Sequence, residues 1–224
     1  MGKLNTYYKG IEKGINMRTI NLLGISGSPR LASTDYVVRD ALDYASQKHA
    51  AQTEYITLHN RTIGFCNHCD FCVRKREGCI QKDGMEEIYE KFSLADSVLI
   101  GTPVYQGTLS GQTKTMLDRF RALVAKDPAA LRNKAGAAAA VGGDRIGGQE
   151  LAIRSILDFY VISEMIPVGG GSFGANLGGT FWSKDKGADG VSADADGIRS
   201  MHRTIDRLIL VAGMIQESRG DADA

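Results

Sequence analysis

The sequence predicts an α/β fold in which an open, doubly wound parallel sheet carries helices on both of its faces. Short apolar runs typical of buried strands alternate five times with segments of helical periodicity. Turns rich in Gly, Ser and Pro follow several of these runs. The sequence contains neither an internal repeat nor a linker, so we expect one domain over residues 18–216, between an N-terminal arm of residues 1–17 and a tail of residues 217–224.

The first strand is predicted from Thr19 to Ile25, a mostly apolar run. A helix follows, with Ser33 or Thr34 as its N-cap. The inward-facing residues of this helix recur at helical spacing and are Val37, Val38, Ala41, Leu42 and Ala45.

The turn between this strand and helix, residues 26–34, has the composition of an anion site. Backbone N–H groups and hydroxyls surround a helix N-terminus, and the helix dipole favours a phosphate there. The turn contains neither G-x-G-x-x-G nor G-K-[ST], which disfavours a dinucleotide pyrophosphate or a magnesium-bound triphosphate. A terminal phosphomonoester, as in FMN, suits a turn rich in Ser and Thr with Arg30 at hand.

The middle of the chain predicts two more strands with their helices. The second strand is expected from Thr53 to Leu58, and a helix from Met85 to Phe92 follows a cysteine-rich loop. The third strand, Ser97 to Gly101, ends in a turn that Pro103 and Gly107 shape. In the next helix, the inward face consists of Met116, Leu117, Phe120 and Leu123, and the residues off that face are Lys114, Asp118 and Arg119.

Two further strands complete the predicted sheet. Residues 135–141 are mostly alanine, for which intrinsic propensity favours a helix. The run is short and ends in a glycine-rich turn, residues 142–148, so we predict a central strand crowded by helices instead. A helix from Gln149 to about Val161 then precedes a short fifth strand, Met165 to Val168.

Residues 169–194 are predicted to be irregular and are rich in glycine. An irregular segment of this length is usually functional, an interface or disordered. Its aromatic residues, Phe173, Phe181 and Trp182, argue for burial against another surface, such as a second subunit. The last helix is predicted from about Ala195 to Met214.

Five parallel strands joined by right-handed crossovers favour the flavodoxin-like strand order 2-1-3-4-5. In this order the turns after strands one, three and four gather at one edge of the sheet, where ligands bind such folds. The cysteine-rich loop, residues 64–80, follows strand two and therefore rises from the same edge. We expect the cysteines and the phosphate site to be neighbours, either in one subunit or across a dimer interface.

All four cysteines of the chain, Cys66, Cys69, Cys72 and Cys79, lie within fourteen residues in the spacing C-x2-C-x2-C-x6-C. Two short gaps favour a [4Fe–4S] cluster over a plant-type two-iron cluster, whose first gap is longer. The alternatives are a zinc site, which usually pairs two separated C-x2-C knuckles, and redox-active or free thiols. Disulfides are disfavoured because nothing in the sequence indicates an oxidising compartment. The Arg74-Lys75-Arg76 run either offsets the charge of a cluster or is an ordinary solvated loop.

Composition excludes some classes of function. Lys plus Arg is 27 and Asp plus Glu is 26, and this balance argues against nucleic acid or an anionic membrane as a partner. No apolar run is long enough to predict a membrane-spanning helix, and the first residues lack the apolar core of a signal peptide. We therefore expect a cytoplasmic protein with reduced cysteines.

These features resemble the iron–sulfur flavoprotein family, within the flavodoxin-like NAD(P)H-dependent FMN reductases. The motifs that carry the resemblance span residues 19 to about 150. They are Gly27-Ser28-Pro29-Arg30 with Ser33-Thr34, the four-cysteine segment, Pro103-Val104-Tyr105, Asp118-Arg119, and Gly142-Gly143 with Gly147-Gly148.

The resemblance implies that three loops bind FMN. The residues implied at its phosphate are Ser26, Ser28, Arg30, Ser33 and Thr34. Those implied along the isoalloxazine are Thr102, Pro103, Val104, Tyr105, Gln106 and Gly107, with Gly142, Gly143, Asp144 and Gly147 on its far side. The resemblance also implies a homodimer or homotetramer, a cluster close to a flavin, and ferredoxin or NAD(P)H as electron donor.

Three functions agree with the sequence. The first is an oxidoreductase that passes electrons through FMN and a [4Fe–4S] cluster to a small acceptor, with the cofactors carrying the chemistry. The second is an NAD(P)H-dependent FMN or quinone reductase whose cysteines hold a structural zinc. The third is non-enzymatic: a flavin- or cluster-bearing redox sensor or electron carrier that regulates a partner through residues 169–194.

Overall fold

A parallel sheet forms the centre of the protein in the computed structural model, which describes residues 19–172 and 174–220. Its strands are β1 (Asn21–Ser26), β2 (Gln52–Thr57), β3 (Ser97–Tyr105), β4 (Thr108–Leu109), β5 (Ala135–Gly142), β6 (Ile166–Pro167) and β7 (Gly179–Trp182). The helices of the described residues are α1 (Ser33–His49), α2 (Phe71–Lys75), α3 (Met85–Leu94), α4 (Gly111–Arg119), α5 (Arg121–Lys126), α6 (Gln149–Ile162), α7 (Gly187–Ser192) and α8 (Ala195–Gly220). The predicted arm, Phe173 and residues 221–224 lie outside the described residues.

The sheet follows the order β2-β1-β3-β5-β6, and neighbouring strands along this path are parallel. The two-residue strand β4 is antiparallel and pairs with the end of β3. With β4 set aside, the order is the predicted 2-1-3-4-5, and the flavodoxin-like fold is confirmed. Ser26 at the end of β1 lies opposite Thr57 of β2 and Gly101 of β3, so the carboxyl ends of these strands share one edge.

Helices cover both faces of the sheet, as predicted for a doubly wound fold. On one face, Ile100 of β3 belongs to a core with Phe92 of α3 and the buried residues of α4 and α6. On the other face, Leu99 of β3 belongs to a core with Val38 of α1 and Leu208 of α8. Neighbouring residues of a strand point to opposite faces, so β3 contributes to both cores in alternation.

The alanine-rich β5 is a central strand, as predicted, and every one of its residues is buried. Its small side chains let α6 approach closely. A Cβ atom at Gly136 would lie 2.7 Å from the ring of Tyr160, whose hydroxyl donates a hydrogen bond to the carbonyl oxygen of Ala137 at 2.9 Å. Packing between layers therefore outweighs the helix propensity of alanine in this strand.

The fifth position of the sheet differs from the prediction. The strand β6 is shorter than the predicted Met165–Val168 and pairs with Ala135 and Gly136, while β7 pairs with residues 139–142 of the same strand. The expectation that residues 169–194 are irregular throughout is therefore wrong, because they include β7 and α7. The strand β7 was not predicted because it begins with glycine. A Cβ atom at Gly179 would lie 2.7 Å from the sulfur of Met201, so glycine lets α8 pack closely on β7.

The last helix, α8, runs to Gly220, beyond its predicted end at Met214. In the part of the chain that the structure describes, no helix combines the length and apolar character needed to cross a membrane.

Candidate functional site

The turn after β1 lies at the carboxyl edge of the sheet, where the phosphate site is predicted. Ser26 is fully buried, and its Oγ atom has no hydrogen-bond partner among the described residues. A buried hydroxyl without a partner is costly unless a ligand or water satisfies it. Ser26 thus offers an unused hydrogen-bonding group where the sequence predicts a ligand.

None of the described side chains caps the N-terminus of α1. The N-cap residue is Ala32, so the expectation that Ser33 or Thr34 caps this helix is wrong. Thr34 is buried within the first turn and Ser33 is half-buried. The first N–H groups of a helix need acceptors, and an anion bound there supplies them. The uncapped helix and the unpartnered hydroxyl of Ser26 together fit a phosphate group.

The other residues of this turn have different environments. Ser28 is buried, and its Oγ atom accepts a hydrogen bond from the backbone N–H of Arg30 at 3.0 Å. The side chain of Arg30 is exposed. His59, which the sequence analysis did not single out, supports the turn because its Nδ1 atom lies 2.7 Å from the carbonyl oxygen of Pro29. His59 lies two residues after β2. Because strands one and two were predicted to be neighbours, a residue just after strand two could be expected close to the turn after strand one.

The loop after β3 is a hairpin instead of the predicted turn. The strand continues past its predicted end at Gly101 to Tyr105 and pairs with β4. At the tip, Gln106 and Gly107 have φ values of 49° and 81°, as a type I′ turn requires. Tyr105 is 37% exposed beside this tip, so its ring is accessible to a ligand.

Thr102 lies in the interior of the hairpin base. It is fully buried, and its Oγ1 atom accepts hydrogen bonds from the N–H of Ser110 and the hydroxyl of Thr113, each at 3.1 Å. Its hydroxyl therefore has partners within the protein. Pro103 is buried and Val104 is half-buried, so the exposed part of the hairpin begins at Tyr105.

The side chain of Gln149 holds the glycine-rich turn, residues 142–148, in place. Gln149 is the first residue of α6 and is almost fully buried. Its Oε1 atom accepts a hydrogen bond from the N–H of Gly147 at 2.9 Å, and its Nε2 atom donates to the carbonyl oxygen of Asp144 at 2.6 Å. Gly143 is half-buried, and Asp144 and Gly147 are exposed. Gln149 was not predicted as a site residue, because a polar residue at a helix start is expected to face solvent.

The glycine-rich turn touches the hairpin. Gly148 has a φ of 113°, and a Cβ atom there would lie 2.2 Å from the carbonyl oxygen of Gly107. Two of the three predicted flavin loops thus form one continuous surface. Arg145 of the turn pairs with the buried carboxylate of Asp194 at 3.0 Å, and Asp194 accepts a hydrogen bond from the N–H of Trp182 at 2.8 Å. Asp194 and Trp182 of the 169–194 segment therefore hold Arg145 of the turn in place.

The four cysteines follow β2 on the same edge of the sheet. Cys72 is buried, Cys79 is half-buried, and Cys66 and Cys69 are exposed. All four line one small cavity of about 20 Å³. Within the described ranges, no three or more His, Cys, Asp or Glu side chains are grouped so that they could hold a metal ion. Four thiols that share one cavity fit a thiolate-bound group, but in this structure they are not arranged as a single-ion site.

The backbone turns sharply between the cysteines. His68 and Asp70 have φ values of 51° and 58°, in the left-handed region. Helix α2, which the sequence analysis did not predict, begins directly after them and carries Cys72 inward. The backbone thus reverses direction between Cys66 and Cys72.

Two arginine side chains, Arg119 and Arg121, are among the residues that line the cysteine cavity. Arg121 and Asp70 both line it, and the Nη2 atom of Arg121 lies 2.5 Å from Oδ1 of Asp70. This hydrogen bond holds the pKa of Asp70 below its usual range and raises the pKa of Arg121. The Arg74-Lys75-Arg76 run lies exposed at the end of α2. Because Arg121 is paired with Asp70, the net positive charge close to the thiols comes from this run, whose first residue follows Cys72 by two positions.

Arg119 is buried, with 1% of its surface exposed, although the helical pattern placed it off the inward face. Its Nη1 and Nη2 atoms lie 2.7 and 3.2 Å from the two carboxylate oxygens of Asp83. Burial lowers the pKa of Arg119, but the hydrogen bonding to Asp83 and the electrostatic attraction of Tyr89, Cys79 and Asp83 together exceed this effect, and the net shift of the pKa is upward. The sequence pattern could not reveal this burial, because the partner is on a distant segment.

Comparison with known proteins assigns the chain to a family. The model of the family described as NADPH-dependent FMN reductase matches residues 20–180. An iron-sulfur flavoprotein of Methanocaldococcus jannaschii is 55% identical over 201 residues, which cover 90% of this chain and 100% of that protein. An iron-sulfur flavoprotein of Archaeoglobus fulgidus is 47% identical over 199 residues, which cover 89% of this chain and 99% of that protein.

A solved structure supports the fold independently. RosB with bound 8-demethyl-8-formylriboflavin-5'-phosphate superposes with a TM-score of 0.70 at 15% identity, covering 92% of this chain and 86% of that one. At this identity the likeness concerns the fold.

Proposed function

The chain belongs to the NADPH-dependent FMN reductase family and, within it, to the iron–sulfur flavoproteins, and from this premise we propose that it carries both FMN and a [4Fe–4S] cluster. It is a flavin-dependent oxidoreductase. The proposed reaction passes electrons from a one-electron donor such as ferredoxin, or from NAD(P)H, to a small acceptor by way of the flavin. The observation that carries the proposal is that all four cysteines line one cavity and follow β2 at the edge of the sheet that also bears the three loops proposed to bind FMN.

The proposed FMN site uses the residues of the three loops in distinct ways. The turn after β1 binds the phosphate through the free hydroxyl of Ser26, the uncapped amides of α1 and the residues Ser28, Arg30, Ser33 and Thr34. The hairpin from Thr102 to Gly107 lies along the isoalloxazine, with Tyr105 exposed beside it. The turn with Gly142, Gly143, Asp144 and Gly147 lies at its far side, held by Gln149.

The proposed cluster ligands are Cys66, Cys69, Cys72 and Cys79. When bound, the cluster supplies one-electron chemistry and FMN supplies one- or two-electron chemistry. The protein holds the thiols together and offsets their charge with Arg121 and the Arg74-Lys75-Arg76 run. No acid–base pair of side chains is required of the chain for this reaction.

We further propose that the protein works in the cytoplasm as a homodimer or homotetramer. An apolar groove of about 810 Å³ between α4, α5 and α6 supports self-association. Val73 of α2 and Leu109 beside the hairpin line this groove together with Phe159 and Ile162 of α6. A second copy seated there lies next to both the cysteine segment and the flavin hairpin.

Anaerobic purification followed by iron, sulfide, zinc and flavin assays tests the proposal. We expect about four iron and about four sulfide atoms per chain, as a [4Fe–4S] cluster requires, together with FMN. Cys66→Ser should lose most of the iron, whereas Ser93→Ala, an exposed control on α3, should retain it. If the wild-type protein contains zinc and no iron, the cysteines bind a structural zinc ion and the cluster assignment is wrong. Failure to reduce any acceptor with ferredoxin or NAD(P)H would favour the redox sensor.

A further inference from the structure

One guanidinium group closes both ends of the cysteine segment. The Nη1 atom of Arg119 donates a hydrogen bond to the carbonyl oxygen of Gly64 at 2.7 Å, and its Nη2 atom donates to that of Gln81 at 3.4 Å. Gly64 precedes Cys66 by two residues, and Gln81 follows Cys79 by two. The chain therefore enters and leaves the thiol segment at the same buried side chain, and we call residues 64 and 81 with Arg119 and Asp83 the neck of the segment.

Asp83 completes the neck. Its carboxylate accepts both hydrogen bonds from Arg119 and a further one from the N–H of Gly64 at 2.9 Å. The N–H of Met85 donates to the same carboxylate at 3.1 Å and so fixes it at the start of α3. The side chain of Gln81 donates to the carbonyl oxygen of Phe65 at 2.8 Å, which adds a second cross-link between the two ends.

The helix that carries Arg119 also contacts the turn predicted to bind phosphate. At the N-terminus of α4, the hydroxyl of Ser110 donates to the carbonyl oxygen of Gly27 at 2.8 Å, and the Oγ1 atom of Thr113 lies 3.2 Å from the same oxygen. At its C-terminus, the carbonyl oxygen of Arg119 accepts a hydrogen bond from the hydroxyl of Tyr89 at 2.7 Å. A helix of this length spans about 13 Å, so α4 is a rigid spacer between the turn after β1 and the neck.

We infer that Arg119 is a positioning residue for the thiol segment, which it closes at the neck with Asp83 and holds at a fixed distance from the turn after β1. The physical reason is entropic. An open segment lets four thiols sample many separations, whereas a closed neck pre-organises them and lowers the cost of gathering them around one group. Only the identity of that group rests on the proposed function, because the neck itself consists of protein contacts.

The first experiment measures thiol accessibility in the metal-free, reduced protein. Arg119→Lys and Arg119→Gln are compared with wild type and with Arg132→Gln, a control that removes an exposed arginine paired with Glu164. Reaction of the buried Cys72 and half-buried Cys79 with a disulfide reagent should accelerate about tenfold or more in the Arg119 variants, the scale of a lost charge-assisted hydrogen bond. Unchanged thiol rates in folded Arg119 variants would overturn the inference.

The second experiment measures iron in the loaded protein. Chelator-driven iron loss should be about tenfold or more faster in the Arg119 variants than in wild type and Arg132→Gln, by the same loss of a charge-assisted hydrogen bond. The flavin content should not change, since the turn after β1 is held by Ser110 and Thr113. Equal iron-loss rates would count against the neck while leaving the cluster assignment intact. If the wild-type protein holds no iron, the cluster assignment is wrong. If the thiols of the Arg119 variants nevertheless react faster than those of the wild type, the neck is supported.

A third measurement needs no variant and stands even if the Arg119 variants fail to fold. Hydrogen exchange of the metal-free wild type should show the amide of Gly64, which donates to Asp83, exchanging about tenfold or more slowly than that of Asn67 inside the segment. Equal exchange at the two amides would mean that the neck is open in solution, and the inference would be wrong.

Discussion

Gly148 packs so closely on Gly107 that a side chain at Gly148 would collide with the Gly107 carbonyl oxygen, at 2.2 Å from its Cβ atom. This contact joins the glycine-rich turn to the hairpin and makes one surface of two loops that are distant in sequence. The proposed flavin ring requires both loops at once, so the affinity for FMN should depend on this contact.

Gly148→Ala should therefore weaken FMN binding about tenfold or more, because it separates the two loops and strains a residue with a φ of 113°. Fluorescence titration of the apoprotein with FMN measures the dissociation constant. Gly187→Ala is the matched control: Gly187 also has a positive φ, of 63°, but no atom of the described residues lies within 4 Å of a Cβ atom there. If both variants lose the same affinity for FMN, the cause is general destabilisation and not the contact between Gly148 and Gly107.

Ser26→Ala should raise the dissociation constant for FMN about tenfold or more, the loss expected for a hydrogen bond to a charged group. Ser97→Ala is an unusually close control, because Ser97 is also fully buried in the sheet with a hydroxyl that has no partner among the described residues. Ser97 begins β3, at the edge opposite the site, and its loss should not affect FMN binding. In the apoprotein, Ser26→Ala should leave stability unchanged or slightly raised, because it removes an unsatisfied hydroxyl. Unaltered FMN affinity would place the phosphate elsewhere.

Asp83→Asn should lower the free energy of unfolding of the metal-free protein at pH 7 by about 3 kcal/mol, because it leaves the buried guanidinium of Arg119 uncompensated. Burial raises the pKa of Asp83, but the hydrogen bonds from Arg119 and from the amides of Gly64 and Met85 together lower this pKa by more than burial raises it. The net shift is downward. A carboxylate with a lowered native pKa stabilises the fold above its unfolded pKa of about 3.9 and loses this contribution as the pH falls through the native value.

The stability difference between wild type and Asp83→Asn should accordingly be constant from neutral pH to about 5 and should shrink below about 4. Urea denaturation at a series of pH values measures it. Asp196→Asn, which breaks an exposed ion pair with Arg199, should change stability by about 0.5 kcal/mol or less. A difference that persists undiminished at acid pH would show that Asp83 acts by packing instead of charge.

Gly136→Ala should destabilise the protein by about 2 kcal/mol, because the new methyl group overlaps the ring of Tyr160. Gly111→Ala makes the same chemical change at the start of α4, where no atom in the described part of the chain lies within 4 Å of the added Cβ, and should be neutral or stabilising. Thermal unfolding of both variants distinguishes them. A neutral Gly136→Ala would mean that α6 can retreat from β5 at no cost.

Those parts of the site that depend on a local sequence pattern could be predicted. Ser26 and Gly107 were identified because turns at the ends of apolar runs are local in sequence, and the strand order then placed them on one edge. The four cysteines were recognised from their spacing alone. The contributions of His59 and Asp83 were missed, because each acts through a hydrogen bond to a segment that is distant in sequence. Gln149 was missed because a polar residue at the start of a helix is expected to face solvent.

The same limit explains the errors in the predicted elements. Ser33 and Thr34 are good N-caps by residue type, but the chain enters α1 one residue earlier, at Ala32. The glycines of residues 169–194 suggested irregular structure, yet they permit the close contact between β7 and α8 that completes the sheet. Arg119 has the polarity of a surface residue, and the fold buries it against a carboxylate 36 positions away.

By itself the sequence determined the alternation of strands and helices, the order of the sheet and the grouping of four thiols, because hydrophobic periodicity, turn composition and residue spacing are local properties. Tertiary structure alone decided which polar groups are buried and paired. The pairing of Arg119 with Asp83 and of Gln149 with the carbonyl oxygen of Phe181 arises only when distant segments meet, since a buried charge or amide is tolerated only where the fold supplies its partner.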